Sequence, residues 1–363
     1  MNILHVSTAT SWRGGEQQIA YLLGELNKIN IPQTVCCPAH SPLHQFCEAG
    51  SIDVHPYKSR GFSGIKLAKI LRDLCLQKNS SILHAHDSHA HTAAVLSAAI
   101  FKNKTPVVLS RKVDFRVSRN PLSRWKYNHP SIKKILCVSE KVREITGHDI
   151  RDQNKLTVVY DGIDLDKFNP GRKGSLLRGE YGLATHTRLV GNASALADHK
   201  DYFTFLDTAE IVLKKNPDTR FIIIGSGPEK KNIENYIAGK KLGHAVFMAG
   251  FRENIHQLLP ELDVFLMTSV TEGLGSIVLD AFAAGVPVVA TKAGGIPEIV
   301  THDQTGLVAP VKNAPLLALQ VCALLDDEAL YKRIRQDAML FVRNFSKEKM
   351  ALHTLGVYEE VLK

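Results

Sequence analysis

The sequence predicts an α/β protein with two doubly wound parallel sheets. Three observations carry this. Short β-rich runs alternate with longer helical patterns along the 363 residues. The alternation breaks once, near residues 161–174, and then restarts. The length suits two domains, and 44% hydrophobic content gives each a core to bury.

The elements follow in order. Residues 2–6 read as a strand, then a loop carrying Gly14 and Gly15, then a helix from about Glu16 to Lys28. Further strands are expected at 33–37, 82–86, 106–110, 135–138 and 156–160. The second series places strands at 188–191, 220–225, 245–249, 264–268 and 286–291, with helical patterns between them. The stretch DGIDLDKFNPGRKG, residues 161–174, is rich in Gly, Pro and charge and has no period, as a linker should. Expected domains are residues 1–163 and 164–343, each Rossmann-like. A final helix over 344–363 is expected to pack back toward the first domain.

Composition narrows the class. The longest apolar runs are too short to span a bilayer. MNILHVSTA lacks a basic start followed by a long apolar region, so it does not read as a signal peptide. The six cysteines form no C-x-x-C pair and suit reduced, buried thiols in a cytoplasmic protein. Residues 1–163 hold 22 Lys+Arg against 12 Asp+Glu, whereas 164–363 hold 23 against 24. The excess peaks at residues 111–134, where Arg111, Lys112, Arg116, Arg119, Arg124, Lys126, Lys133 and Lys134 meet only Asp114. Such a run is either a solvated face or a surface for a phosphate-bearing partner or anionic membrane. Nucleic acid ranks last, because no motif for it is visible.

The stretch TEGLGSIVLDAFAAG, residues 271–285, follows the strand VFLMT. Ligands of open parallel sheets sit at the carboxyl ends of strands. A helix capped by Ser276 would present N–H groups and a positive dipole end to a phosphate, and the glycines permit close backbone approach. Glu272 and Asp280 can then bracket one ligand and accept from sugar hydroxyls. Equally, Glu272 could be a surface loop residue and Asp280 a wet-face helix residue.

Taken with the rest of the chain, these residues resemble the retaining glycosyltransferases of family 4. The signature reads Glu272-Gly273-Leu274-Gly275, Asp280, Ala284-Gly285-Val286-Pro287-Val288 and Gly294-Gly295-Ile296-Pro297-Glu298. Supporting stretches are Trp12-Arg13-Gly14-Gly15-Glu16, His84-Ala85-His86-Asp87, Val138-Ser139-Glu140, Tyr160-Asp161-Gly162-Ile163-Asp164, Lys200, Ile224-Gly225-Ser226-Gly227-Pro228 and Gly250-Phe251-Arg252. The resemblance implies a GT-B fold, two Rossmann-like domains facing across a cleft. It implies a nucleotide-sugar donor, UDP by default, and no metal or other cofactor. By the same resemblance, Asp280 would hold the ribose. Glu272 with Gly273, Leu274, Gly275 and Ser276 would hold the transferred sugar and diphosphate. Lys200 would neutralise the leaving diphosphate, Gly250, Phe251 and Arg252 would frame the base, and Gly14 and Gly15 would close over the diphosphate.

Three departures from the family pattern matter. Asp280 stands where Glu is usual. The Arg expected shortly before Lys200 is absent from Asn192-Ala193-Ser194-Ala195-Leu196, with Arg13 and Arg252 as candidate substitutes. Ser110-Arg111-Lys112 stands where many relatives carry a His near the reacting sugar, making Lys112 a candidate catalytic cation. His86, Asp87, Arg111 and Arg116 are candidate acceptor contacts.

Other motifs are set aside. HAHDSHAH invites a metal reading, but His89 and His91 should start a helix and not converge with His84 and His86. Asp164-Leu165-Asp166 reads as a turn. Gly225-Ser226-Gly227 lacks nicotinamide-site spacing. The expected reaction transfers a sugar to a glycan or lipid-linked hydroxyl in lipopolysaccharide or surface polysaccharide assembly, with the enzyme peripheral on the inner membrane face. The alternatives are a nucleotide-sugar epimerase on the same fold and a degenerate, binding-only subunit.

Overall fold

The computed structural model describes residues 1–58, 64–117, 120–168 and 174–363. Arg119 of the basic run and residues 169–173 of the linker lie outside the described residues. The chain divides into two compact units, Met1–Gly162 with Phe345–Lys363, and Ile163–Asn344.

The first unit holds a parallel sheet of β1 (Ile3–Val6), β2 (Gln33–Pro38), β3 (Asp53–Tyr57), β4 (Ile82–Ala85), β5 (Val107–Arg111), β6 (Ile132–Cys137) and β7 (Leu156–Val158), in the order β3-β2-β1-β4-β5-β6-β7. The second holds β8 (Arg188–Ala193), β9 (Thr219–Ile224), β10 (Val246–Gly250), β11 (Val264–Met267), β12 (Val288–Thr291) and β13 (Leu307–Ala309), in the order β10-β9-β8-β11-β12-β13. Both orders reverse once, between β1 and β4 and between β8 and β11. Such reversals open a crevice at the strands' carboxyl ends, where ligands of doubly wound folds bind.

The strands read as continuous apolar runs because helices cover both faces. Ile3, Leu4, Ile82, Leu83, Phe265 and Leu266 are fully buried. The final helix, Lys347–Leu362, packs on the first sheet, with Tyr358 buried beside Ile82, Val108 and Leu136. All six cysteines are free and buried. Among the described residues, no helix is long and apolar enough to cross a membrane.

Two strands escaped the sequence reading. DVHPY (β3) is a mostly exposed edge strand without apolar alternation, where Pro56 is tolerated. β13 has only three residues, too few to show a period. Two helix starts are corrected. The first helix begins at Gly14, so Gly14 and Gly15 form its first turn and not a preceding loop. The helix expected to be capped by Ser276 spans Ser276–Ala283 and is preceded by Gly275 at φ 83°, a left-handed conformation that favours glycine.

Candidate active site

At the switch point of the second unit, the segments after β8 and β11 are tied together by backbone and side chain. Thr268 Oγ1 donates to the carbonyls of Lys200 and Asp201, at 3.1 and 3.0 Å. Val270 N–H donates to His199 O at 2.8 Å. These bonds hold a 3-10 turn, Asp198–Lys200, against the end of β11. Asp201 leaves that turn at φ 46° and caps the helix Tyr202–Lys215, accepting from Thr204. Lys200 Nζ is thereby aimed at Glu272 Oε1, with which it forms an ion pair. Ser269 Oγ donates to the same oxygen at 2.7 Å. Ser269 is itself fixed by Thr291 Oγ1, which donates to its carbonyl. The Lys200 and Glu272 side chains keep only 14% and 10% of their accessibility, so this pair is screened less than a surface one.

Gly273, Leu274, Gly275 and Ser276 carry the chain from this pair into the helix Ser276–Ala283, whose N-terminal dipole end lies beside it. Asp280 sits one turn further on, and burial pushes its carboxyl up to about 7, against Lys167, which favours the ionised form. The second unit therefore brings together Lys200, Glu272, Gly273–Ser276 and Asp280. Gly250 ends β10 at φ 71° and Phe251 beyond it is 61% exposed. Arg252 donates to Ala249 O at 2.9 Å and pairs with Glu180. As a substitute for the arginine absent before Lys200, it is already committed. Gly225 has φ 151°, and a Cβ there would lie 1.9 Å from Ser194 O. Close strand-to-loop packing accounts for that glycine.

In the first unit, His86 and Lys112 line one pocket with His84, Ser110, Asp161 and Gln18. Lys112 is ion-paired with Asp161. Gly14 and Gly15 open the first helix, where Glu16 accepts from Arg13 N–H at 2.9 Å. Three acceptor readings are corrected in part. Asp87 caps the helix Ser88–Phe101, and its oxygens accept from Thr8, His89 and Ala90, so its lone pairs are used in folding. Arg111 is buried, donating to Tyr127 Oη at 2.6 Å and to Phe115 O, and does not face a solvent-borne partner. Arg116 is exposed beside Asp149 at 3.8 Å and does not line the pocket.

Sequence reading missed Thr268 and Ser269, which position the Lys200–Glu272 pair, and His5, which touches His86. A polar residue inside the apolar strand ILHV was the available signal for His5. Thr268 and Ser269 gave none, because Thr and Ser end many strands.

The comparisons agree with this architecture. The family model for glycosyl transferases group 1 matches residues 176–341, and that for glycosyltransferase family 4 matches residues 12–167. The chain belongs to glycosyltransferase family 4 and is a glycosyltransferase. It is 26% identical over 308 residues to the N-acetyl-alpha-D-glucosaminyl L-malate synthase of Bacillus anthracis, covering 82% of this chain and 80% of that one. It is 27% identical over 215 residues to the lipopolysaccharide core biosynthesis mannosyltransferase LpsB of Rhizobium meliloti, covering 57% and 61%. The Anabaena protein Alr3699/HepE, solved with UDP-glucose, superposes with a TM-score of 0.84 at 20% identity over 98% of this chain and 100% of that one, a likeness of fold.

Proposed function

We propose that this enzyme moves a sugar, with retention, from a UDP-sugar to a hydroxyl of a glycan or lipid-linked acceptor in lipopolysaccharide or surface polysaccharide assembly. The Lys200–Glu272 pair beside the N-terminus of the helix Ser276–Ala283 carries the reading. Breaking the anomeric C–O bond builds negative charge on the diphosphate. A lysine and a helix N-terminus at one point stabilise that charge without reorganising. Glu272, held by Ser269, accepts from hydroxyls of the transferred sugar, and Asp280 accepts from the ribose. Exposed Phe251 offers a face to the base. The acceptor hydroxyl attacks on the face from which the diphosphate leaves, and the departing phosphate oxygen takes its proton. His86 and Lys112 contact the acceptor. No metal is required in this scheme, since Lys200 and the helix end supply the positive charge. The UDP preference is supported by the UDP-glucose held by the Anabaena protein of like fold, and the lipopolysaccharide setting by the Rhizobium relative.

The basic segment of the first unit supports action at an anionic membrane surface. Arg111 is inward, but Phe115, Leu122 and Trp125 are 64%, 72% and 45% exposed among Arg116 and Arg124. Apolar side chains interspersed with cations suit a lipid interface.

The test is calorimetry of the purified protein with UDP, GDP and ADP, with and without EDTA. Tight, EDTA-insensitive UDP binding is expected. Absence of nucleotide binding would overturn the transferase reading in favour of a binding-only subunit.

A further inference from the structure

We propose that His5, His84 and His86 form a binding site for a divalent transition-metal ion of the zinc class at the switch point of the first sheet. Strand register builds the cluster. β1 and β4 are parallel neighbours, and their pairing sets His5 directly beside His84. His86 lies two residues beyond His84, so its side chain returns to the same face. Imidazoles 79 and 81 positions apart in the chain thus converge at the carboxyl ends of two central strands. Ring centroids lie 4.0 Å apart for His84–His86, 5.3 Å for His5–His86 and 5.7 Å for His5–His84.

The nitrogens are placed for coordination. One ring nitrogen from each histidine lies within 4.8 Å of the others. Ligands about 2.0–2.1 Å from a tetrahedral zinc ion stand roughly 3.3 Å apart, so ring rotations of about an ångström close the set. His5 Nδ1 and His86 Nε2 are already 3.0 Å apart. Two neutral imidazoles can meet this closely only by sharing a proton, and a metal ion would take that proton's place.

The surroundings fit as well. His84 has Tyr358 Oη at 2.5 Å from Nδ1 and Ser110 Oγ at 2.8 Å from Nε2. Either can orient the ring while the other nitrogen binds metal, as outer-shell partners do. Gln33 lies beside the His5 ring and can orient it. The pocket beside His84 and His86 measures about 30 Å³, room for a water as the remaining ligand. Lys112, close enough to act on both histidines, opposes a cation, and its partner Asp161 offsets that cost.

The test uses the purified full chain with Co²⁺ as a spectroscopic probe and Zn²⁺ as competitor. Nitrogen-ligated Co²⁺ should give visible absorption saturating at one equivalent, abolished by Zn²⁺ and untouched by Mg²⁺, which prefers oxygen. His86→Gln, at a partly exposed position, should weaken Co²⁺ binding by at least about ten-fold and remove the rise in Tm given by Zn²⁺. His89→Gln, exposed on the neighbouring helix, should change neither. His5→Gln should behave like His86→Gln if it folds. Absence of saturable Co²⁺ absorption, or equal binding by His86→Gln and wild type, would overturn the site. None of these readouts depends on sugar transfer.

Discussion

Lys200 and Glu272 are 72 positions apart, yet the lysine ammonium and Ser269 Oγ share a single carboxylate oxygen of Glu272. The geometry orients the carboxylate from one side and leaves the lysine fixed by the β11 end. Lys200→Ala should lower transfer by about 10²–10³-fold, the range seen when one preorganised charge stabiliser is removed. Glu272→Gln should fall similarly while the circular dichroism spectrum stays native. Near-normal rates in either variant would remove these residues from the chemistry.

Ser269 Oγ donates to Glu272, and in the proposed scheme it acts on the donor only through that carboxylate. Ser269→Ala should therefore lower kcat about ten-fold, one hydrogen bond to a charged group being worth roughly 1.5–3 kcal/mol before relaxation. Nucleotide affinity should move less than two-fold. Steady-state kinetics beside calorimetry separates the two, and an equal loss in both would indicate a purely structural serine.

If Asp280 holds the ribose as proposed, nucleotide binding is linked to pH through it. Its folded carboxyl titrates near 7, against about 4 when unfolded. The ionised form, which accepts from ribose hydroxyls, grows as pH rises through 7, so UDP affinity should rise between pH 6 and 8. Stability runs the other way. The folded state binds the extra proton between pH 4 and 7, so this group's contribution falls as pH rises across that window and is level above it. Asp280→Asn should level the pH dependence of UDP affinity and remove this group's share of the stability profile. A UDP affinity independent of pH in the wild type would refute the ribose role.

Buried histidines set an acid limit. His5, His84, His86 and His91 all titrate below the ordinary value because burial disfavours their charged forms. Their unfolded counterparts take up protons below about 6.5. Stability from this group is complete above 6.5 and is lost progressively as pH falls toward the folded values. Urea titrations of Asp280→Asn, which lacks the opposing carboxyl, should show a steady loss from pH 7 to 5. A level profile would contradict it.

In the basic segment proposed to meet an anionic surface, Leu122→Ser with Trp125→Ser should weaken partition onto anionic vesicles. Neutralising Arg116 and Arg124 should cost about five-fold each at low salt, from roughly 1 kcal/mol per cation near the surface. Equal binding to neutral and anionic vesicles would argue for a merely solvated face.

What the sequence by itself determined here is periodic and local. Alternating strand and helix patterns revealed two doubly wound sheets, because buried parallel strands must be apolar and their helices amphipathic. The glycine of Glu272-Gly273-Leu274-Gly275 was legible because the turn into the helix takes a left-handed φ of 83° at Gly275, which favours glycine. The tertiary structure decided what depends on pairing at a distance. Strand register brought His5 to His84, which no spacing along the chain encodes. Inward rotation took Arg111 out of the basic face and gave it to Tyr127, and capping used up the oxygens of Asp87. In each case the residue type was visible, but the partner that fixed its role came from another strand or loop, and only the fold chose that partner.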